Sequence, residues 1–340
     1  MLPAENHSLT AKHWTEWLVF ALLFAAGGAF WSLTLGDSHT RIETREEERL
    51  IHQCDVVAMN LTRQFTAINA ALSGIVIEVP KWRTQKDGAQ LAAQHLKALN
   101  NAMPGVLTFL IFDADGTIRA SDKQQLVGLN FSSRDYFQAV VRDPHVDRLY
   151  VRPPFTTKLG NFTMNLIRMI PNATGAFDGM VVAGLDAEEF KVLLQSVLYR
   201  PDIKAALVHS DGVPFLMAPS SKHVGGLQLV EPGGLFSKHI QSGKITDIFR
   251  GKIASDGEEK LVALQTIALK SLNADKSMVV AVDRPWQSIF SRWKKDMYQA
   301  IGMYVALILA AAIVLNMRQR HRMAELRATI TMEAARKAQG

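Results

Sequence analysis

The chain has 340 residues, 48% of them apolar and 21% charged, with a formal net charge of +6. No Lys/Arg run is dense enough, or interleaved with aromatics, to build a nucleic-acid surface. The single cysteine, Cys54, excludes an internal disulfide and a cysteine-based zinc site. A mean hydropathy near zero in so charged a chain signals a mosaic of apolar segments beside an ordinary folded domain.

The first apolar segment, Trp17 to Leu35, reads WLVFALLFAAGGAFWSLTL and carries no charge. The second, Tyr298 to Asn316, reads YQAIGMYVALILAAAIVLN and is also uncharged. About 19 residues at 1.5 Å per residue cover roughly the 30 Å hydrocarbon core of a bilayer. Trp14, Trp17 and Trp31 flank the first segment, and Trp293, Tyr298 and Tyr304 mark one end of the second, as interfacial anchors do. Phe30 and Trp31 stand where a signal peptidase needs small residues, so the first segment reads as a retained anchor. Small residues recur every fourth position (Ala21, Ala25, Ala29; Gly302, Ala306, Ala310), a spacing that permits close helix approach. The predicted order is an N-terminal cytoplasmic segment (1–16), a span (17–36), a central domain (37–297), a span (298–316) and a basic helical tail (317–340). Basic residues flank both sides of the spans, so charge alone does not orient them. The tail basic excess also suits anionic lipid.

Between the spans, residues 38–80 read as one long helix. Leu50, Cys54, Val57, Leu61, Phe65, Ile68, Leu72 and Val76 form a single stripe at helical period, and Pro80 is expected to end it. Cys54 lies on that stripe as a small buried hydrophobe. A second amphipathic helix follows at about 88–100, through Leu91, His95, Leu96 and Leu99. Then come VLTFLIFD (106–113), an Asp-Gly turn and a short strand, which read as a hairpin. A helix capped by Ser132 or Ser133 leads to three further strands in LYVRPPF, FTMNLIRMIP and GMVVAGLD. The helix AEEFKVLLQSVLY closes this first module. A smaller copy starts at IKAALVHSDGVPFLMAP, with its own Asp-Gly turn at Asp211-Gly212, and adds three strands and a helix that enters the second span. The predicted fold class is α+β: a long N-terminal helix, then two PAS-like antiparallel-sheet modules, flanked by two transmembrane helices.

The stretch VGLNFSSRDYFQAVVRD, followed in order by LYVRPPF, TMNLIRMI and TGAFDGMVVAGLDAEEF, resembles the double Cache sensor domain of bacterial receptors, as found before diguanylate cyclase or histidine kinase domains. The resemblance covers about 40 to 296. It implies an extracytoplasmic domain on a two-pass bacterial inner-membrane protein, a homodimer, and a ligand pocket in the distal module (about 104–190) rather than the proximal one (about 201–285). Amino-acid-binding members carry a Trp-Tyr pair where this chain has Tyr136 and Phe137.

The residues expected at the pocket are Arg134, Tyr136, Phe137, Tyr150, Arg152, Arg168 and Asp186. A guanidinium presents a planar fork that fits a carboxylate, and Tyr136 with Phe137 would wall the pair from water. Asp186 matches the family position that pairs with a ligand ammonium in amine-binding members. The expected ligand is therefore a small carboxylate, amino acid or amine. No cofactor is expected. His145, His223 and His239 lack metal-ligand spacing, and no G-x-S-x-G, H-E-x-x-H, P-loop or G-x-G-x-x-G is present. No cyclase or kinase signature follows the second span, so the chain reads as a non-enzymatic receptor module. The competing readings are the sensory part of a histidine kinase or diguanylate cyclase, and a membrane partner of a separate cytoplasmic signalling protein.

Overall fold

The computed structural model describes residues 4–157, 160, 162–219, 227–252, 257–267 and 269–338. His223 lies outside them. The chain divides into two compact units, one of Met1–Arg45 with Ile289–Gly340 and one of Glu46–Ser288.

The first unit is a helical pair. Helix α1 runs Ala4–Thr84 and helix α7 Ser291–Ala338, and each contains a stretch long and apolar enough to cross a membrane. Within the unit, Tyr304 donates its hydroxyl to the Phe24 carbonyl. Trp17 Nε1 donates to Gln319 at 3.2 Å, and Arg322 pairs with Glu16 at 2.7 Å. At the other end of the pair Trp293 Nε1 donates to Ser38 Oγ at 2.9 Å, and His39 stacks on Phe290 at 4.1 Å. These polar contacts lie toward the two ends of the apolar stretches, apart from that of the Tyr304 hydroxyl.

The second unit starts on α1. Leu50, Cys54, Val57, Leu61, Phe65, Ile68 and Leu72 are buried as their spacing predicts. Beyond Leu72 the stripe continues through Ile75 and Val79, and Val76 is only half-buried, because alternating steps of three and four keep pace with 3.6 residues per turn. Pro80 does not end the helix, which continues to Thr84. Proline there costs one backbone hydrogen bond on an exposed face. The last turn is held instead by Arg83, which pairs with Asp178, donates to the Asp178 carbonyl at 2.8 Å and reaches Asp113 at 3.3 Å. Helix α2 (Gly88–Ala102) buries Gly88, Ala92 and Leu96, and Leu91 faces solvent.

The distal module contains β1 (Val106–Asp113), β2 (Ile118–Ser121), α3 (Asp135–Arg142), β3 (Tyr150–Val151), β4 (Phe155–Thr156), β5 (Phe162–Thr163), β6 (Asn165–Pro171), β7 (Phe177–Leu185) and α4 (Ala187–Ser196). The proximal module contains β8 (Lys204–His209), β9 (Pro214–Ala218), α5 (Leu235–Ser242), β10 (Thr246–Lys252), β11 (Glu259–Ile267), β12 (Met278–Pro285) and the short α6 (Trp286–Ile289). The distal sheet has the order β2-β1-β7-β6-β3 and the proximal one β10-β11-β12-β8-β9; β4 and β5 form a separate two-stranded ribbon. Numbered within each sheet, both five-stranded sheets read 2-1-5-4-3, so the repeat seen in the two Asp-Gly turns is a repeat of topology. Both turns place glycine at positive φ, +84° at Gly116 and +85° at Gly212, where L-residues are strained.

The thiol of Cys54 is fully buried and donates to the Ala263 carbonyl at 3.4 Å; burial pushes its pKa up to about 12. Thiolate is the reactive form, so a thiol reagent should leave Cys54 unmodified over hours in the native protein. Titration in denaturant should then give one equivalent, and rapid native labelling would contradict this placement.

Candidate functional site on the distal module

Alternation along the distal strands gives the sheet two distinct faces. Phe112, Ile118, Ile167, Met169, Met180 and Val182 pack on one face, with Phe137, Val140 and Tyr150. This is the face covered by α3. The opposite face carries Arg168, whose Nε donates to Asn69 of α1 at 2.8 Å. Burial lowers the pKa of Arg168, against the opposing pull of Asp147.

Helix α3 begins without the expected serine cap. Arg134 occupies the N-cap with extended backbone and makes no side-chain cap bond. Ser132 is instead turned onto Asn130, with its hydroxyl 2.7 Å from Asn130 Oδ1. The Arg134 carbonyl accepts from the Phe137 and Gln138 amides, both at 3.0 Å, which fixes the start of the helix. Its half-buried guanidinium makes no hydrogen bond or ion pair among the described residues. Beside it the Tyr136 ring stacks on Phe155 at 5.6 Å and meets the edge of Phe112 at 6.4 Å. Burial pushes the Tyr136 pKa up to about 12, against the charge of Arg134, so its hydroxyl stays a neutral donor. Phe131 and Phe177 complete the aromatic wall, Phe131 against Phe112 at 6.4 Å and Phe177 against Phe137 at 5.7 Å. A cation unpaired among the described residues thus stands beside a ring-lined patch, where a charge-assisted bond to an anion gains strength.

The other predicted residues each make contacts within the protein. Phe137 is a core side chain, 3% exposed. Tyr150 is equally buried; its hydroxyl accepts from the His145 amide at 2.7 Å and donates to the Asp143 carbonyl at 2.6 Å, so the loop after α3 consumes it. Arg152 pairs with Asp275 of the proximal module. Asp186 is the N-cap of α4, accepting from the Glu188 amide at 3.0 Å. It follows the last residue of β7, whereas Phe177, which touches Phe137, is the first. The structure therefore brings Arg134, Tyr136 and Phe137 together on one face. Arg168 lies on the opposite face, and Asp186 follows Leu185, whose carbonyl accepts from Thr163 Oγ1 at 2.8 Å, Thr163 being the ladder partner of Phe155. The contributions of Phe112, Phe131, Phe155 and Phe177 are missing from the sequence reading. Phe155 lay inside the quoted LYVRPPF, but only the fold reveals that it faces Tyr136.

The two modules of this unit meet around the same strand. The Leu149 amide donates to the Asn273 carbonyl at 3.2 Å, and the Asp275 amide to the Leu149 carbonyl at 3.1 Å. The fully buried His209 places Nε2 3.3 Å from the Val151 carbonyl. Burial lowers the His209 pKa, opposed by Asp211. The unfolded chain then binds a proton that the folded one refuses. The contribution of His209 is complete above the unfolded value near 6.5 and falls as pH drops toward the folded value. Unfolding between pH 7.5 and 5 should show a falling midpoint that His209→Asn flattens; an unchanged slope would exclude the assignment.

Two five-stranded antiparallel sheets of one topology, strung on a long helix, make the fold expected of a double Cache domain. Solved structures agree. The extracellular domain of rpHK1S-Z16, named as a histidine kinase, superposes with a TM-score of 0.63 at 22% identity, over 73% of this chain and 98% of that one. The periplasmic sensory domain of the Campylobacter jejuni chemoreceptor Tlp1 gives 0.60 at 17% identity, over 73% and 98%. The ligand-binding domain of the Pseudomonas fluorescens chemoreceptor CtaA, solved with L-isoleucine, gives 0.54 at 15% identity, over 75% and 98%. These likenesses establish the fold. No protein-family model and no curated protein matches the chain.

Proposed function

We propose that the chain is a two-pass receptor module of the bacterial inner membrane, whose extracytoplasmic distal module binds a small carboxylate at the α3 face. The observation that carries this reading is the unpaired Arg134 guanidinium beside the Tyr136–Phe155 stack. A guanidinium with no partner among the described residues favours a carboxylate over an amine. Occupancy would shift α1 and α7, the two helices that carry the apolar stretches, and would do so only to the extent that the ligand binds two states unequally. A homodimer and a cytoplasmic signalling partner belong to this reading. The likeness to rpHK1S-Z16 supports a variant of it, in which the chain is the sensory portion of a histidine kinase.

The test is a thermal-shift screen of the full chain in detergent against monocarboxylates, dicarboxylates, α-amino acids and amines. Stabilisation by carboxylates, with amines inert, is the expected pattern. Stabilisation by amines alone would overturn the assignment of Arg134.

A further inference from the structure

Asp275 belongs to the proximal module, in the turn before β12, yet both of its carboxylate oxygens are spent on the distal module. Oδ1 accepts from the Val151 amide at 2.8 Å, and Oδ2 pairs with the Arg152 guanidinium. Both partners are well shielded, with side chains 15% and 16% exposed, so the pair is poorly screened by salt. The turn is itself built to present the carboxylate. Asn273 adopts φ +49° and donates its side chain to the Asp147 carbonyl at 3.2 Å, and the backbone of Leu149 bridges to Ala274.

Arg152 is followed by Pro153, Pro154 and Phe155. Two consecutive prolines fix φ and give a stiff connector of low entropy. Wherever Val151 and Arg152 are held, Phe155 is held three residues further on, and Phe155 is the ring that stacks on Tyr136. The ribbon that starts at Phe155 is also seated on the proximal module, through Phe162 against Phe215 of β9 at 6.3 Å. The ligand face therefore borrows one of its walls from a strand end that the other module pins.

We infer that Asp275 is a positioning residue for the distal ligand site. It fixes the β3–β4 connector, and through Pro153–Pro154 it sets the placement of Phe155 on Tyr136. By linkage, whatever changes the Phe155–Tyr136 contact changes the strength of the inter-module clasp, and the reverse. This deepens the function proposed above, but the positioning claim concerns the unliganded protein and is tested without a ligand.

The experiment is hydrogen exchange with mass spectrometric readout on the full chain in detergent, following peptides that cover 131–142 and 150–157. Asp275→Asn keeps an acceptor for the Val151 amide but removes the charge. Leu207→Ala, in the core of the proximal module, serves as a control matched for lost stability. The double glycine variant of Pro153 and Pro154 softens the connector and leaves the clasp alone. Asp275→Asn should speed exchange about tenfold or more at Val151, at Phe155–Thr156 and in the first turn of α3, and Leu207→Ala should not. The double glycine variant should speed exchange at Phe155–Thr156 and α3 and leave Val151 slow. Faster exchange confined to Val151 in Asp275→Asn, or the same pattern in Leu207→Ala, would reduce Asp275 to a structural contact and overturn the inference. Should Asp275→Asn fail to fold, the double glycine variant decides alone: unchanged exchange at α3 overturns it. Because no ligand enters, a negative screen leaves this result standing, and an overturned clasp leaves the α3-face site to be judged by the screen.

Discussion

Arg284→Ala is expected to destabilise the sensory unit by about 3–5 kcal/mol, the range for removing one partner of a buried ion pair. Arg284 closes the last strand, β12, and is only 6% exposed. Its Nη1 meets Glu46 of α1 at 2.9 Å, and its Nε meets Asp202 at 2.8 Å. Burial pulls the Arg284 pKa down, but the hydrogen bonds it donates to Asp202 and Glu46 outweigh that and raise the value. Tyr199 adds its hydroxyl to Glu46, and Arg49 lies 3.9 Å above the Tyr199 ring. Alanine would leave the Glu46 carboxylate buried with one neutral donor, and two acids facing each other across the gap. For a unit of this size the cost corresponds to a fall of on the order of 10 °C in unfolding midpoint. The paired variant Glu46→Leu with Arg284→Met should recover most of the loss, since a buried ion pair gains little over a well-packed apolar one. A loss below about 1 kcal/mol in Arg284→Ala would show that water reaches the cluster.

The second large effect concerns binding. Arg134→Ala should weaken a carboxylate ligand by about 30-fold or more, because truncating one side of a shielded, hydrogen-bonded charge pair costs about 2–5 kcal/mol. Stability should hardly change, since the guanidinium has no partner among the described residues to lose. Arg134→Lys should fall between the two, keeping the charge without the planar fork. Calorimetric titration of the three proteins with the best carboxylate from the screen checks this, and equal affinities in all three would remove Arg134 from the site.

Much of the fold was legible because it rests on local pattern. The strand predicted at 106–113 coincides with β1, and the two Asp-Gly turns announced the duplicated sheets. Where the reading failed, the deciding partner was remote. Pro80 was taken as a stop because the sequence does not show Arg83 meeting Asp178, 95 positions away. Helix α5 was missed because its signal is short, with Gly234 before it and Gly243 in the left-handed region after it. For Arg152 the sequence does not show its partner Asp275, which lies 123 positions further on, in the other module. Asp186 followed a family motif, and its Oδ1 also caps the helix that starts beside it. Arg134 and Tyr136 stand in one short motif at the start of a helix, so their proximity to each other was legible. The rings that wall them come from three other strands and a loop.

The most direct test of a ligand site on the α3 face is hydrogen exchange on the full chain with and without the strongest stabiliser from the screen. The proposed function predicts slowed exchange in 131–142 and 150–157, with a smaller effect at 273–277 across the inter-module clasp. Protection confined to the proximal sheet, 204–285, with the α3 face unchanged, would contradict it and move the site to the other module.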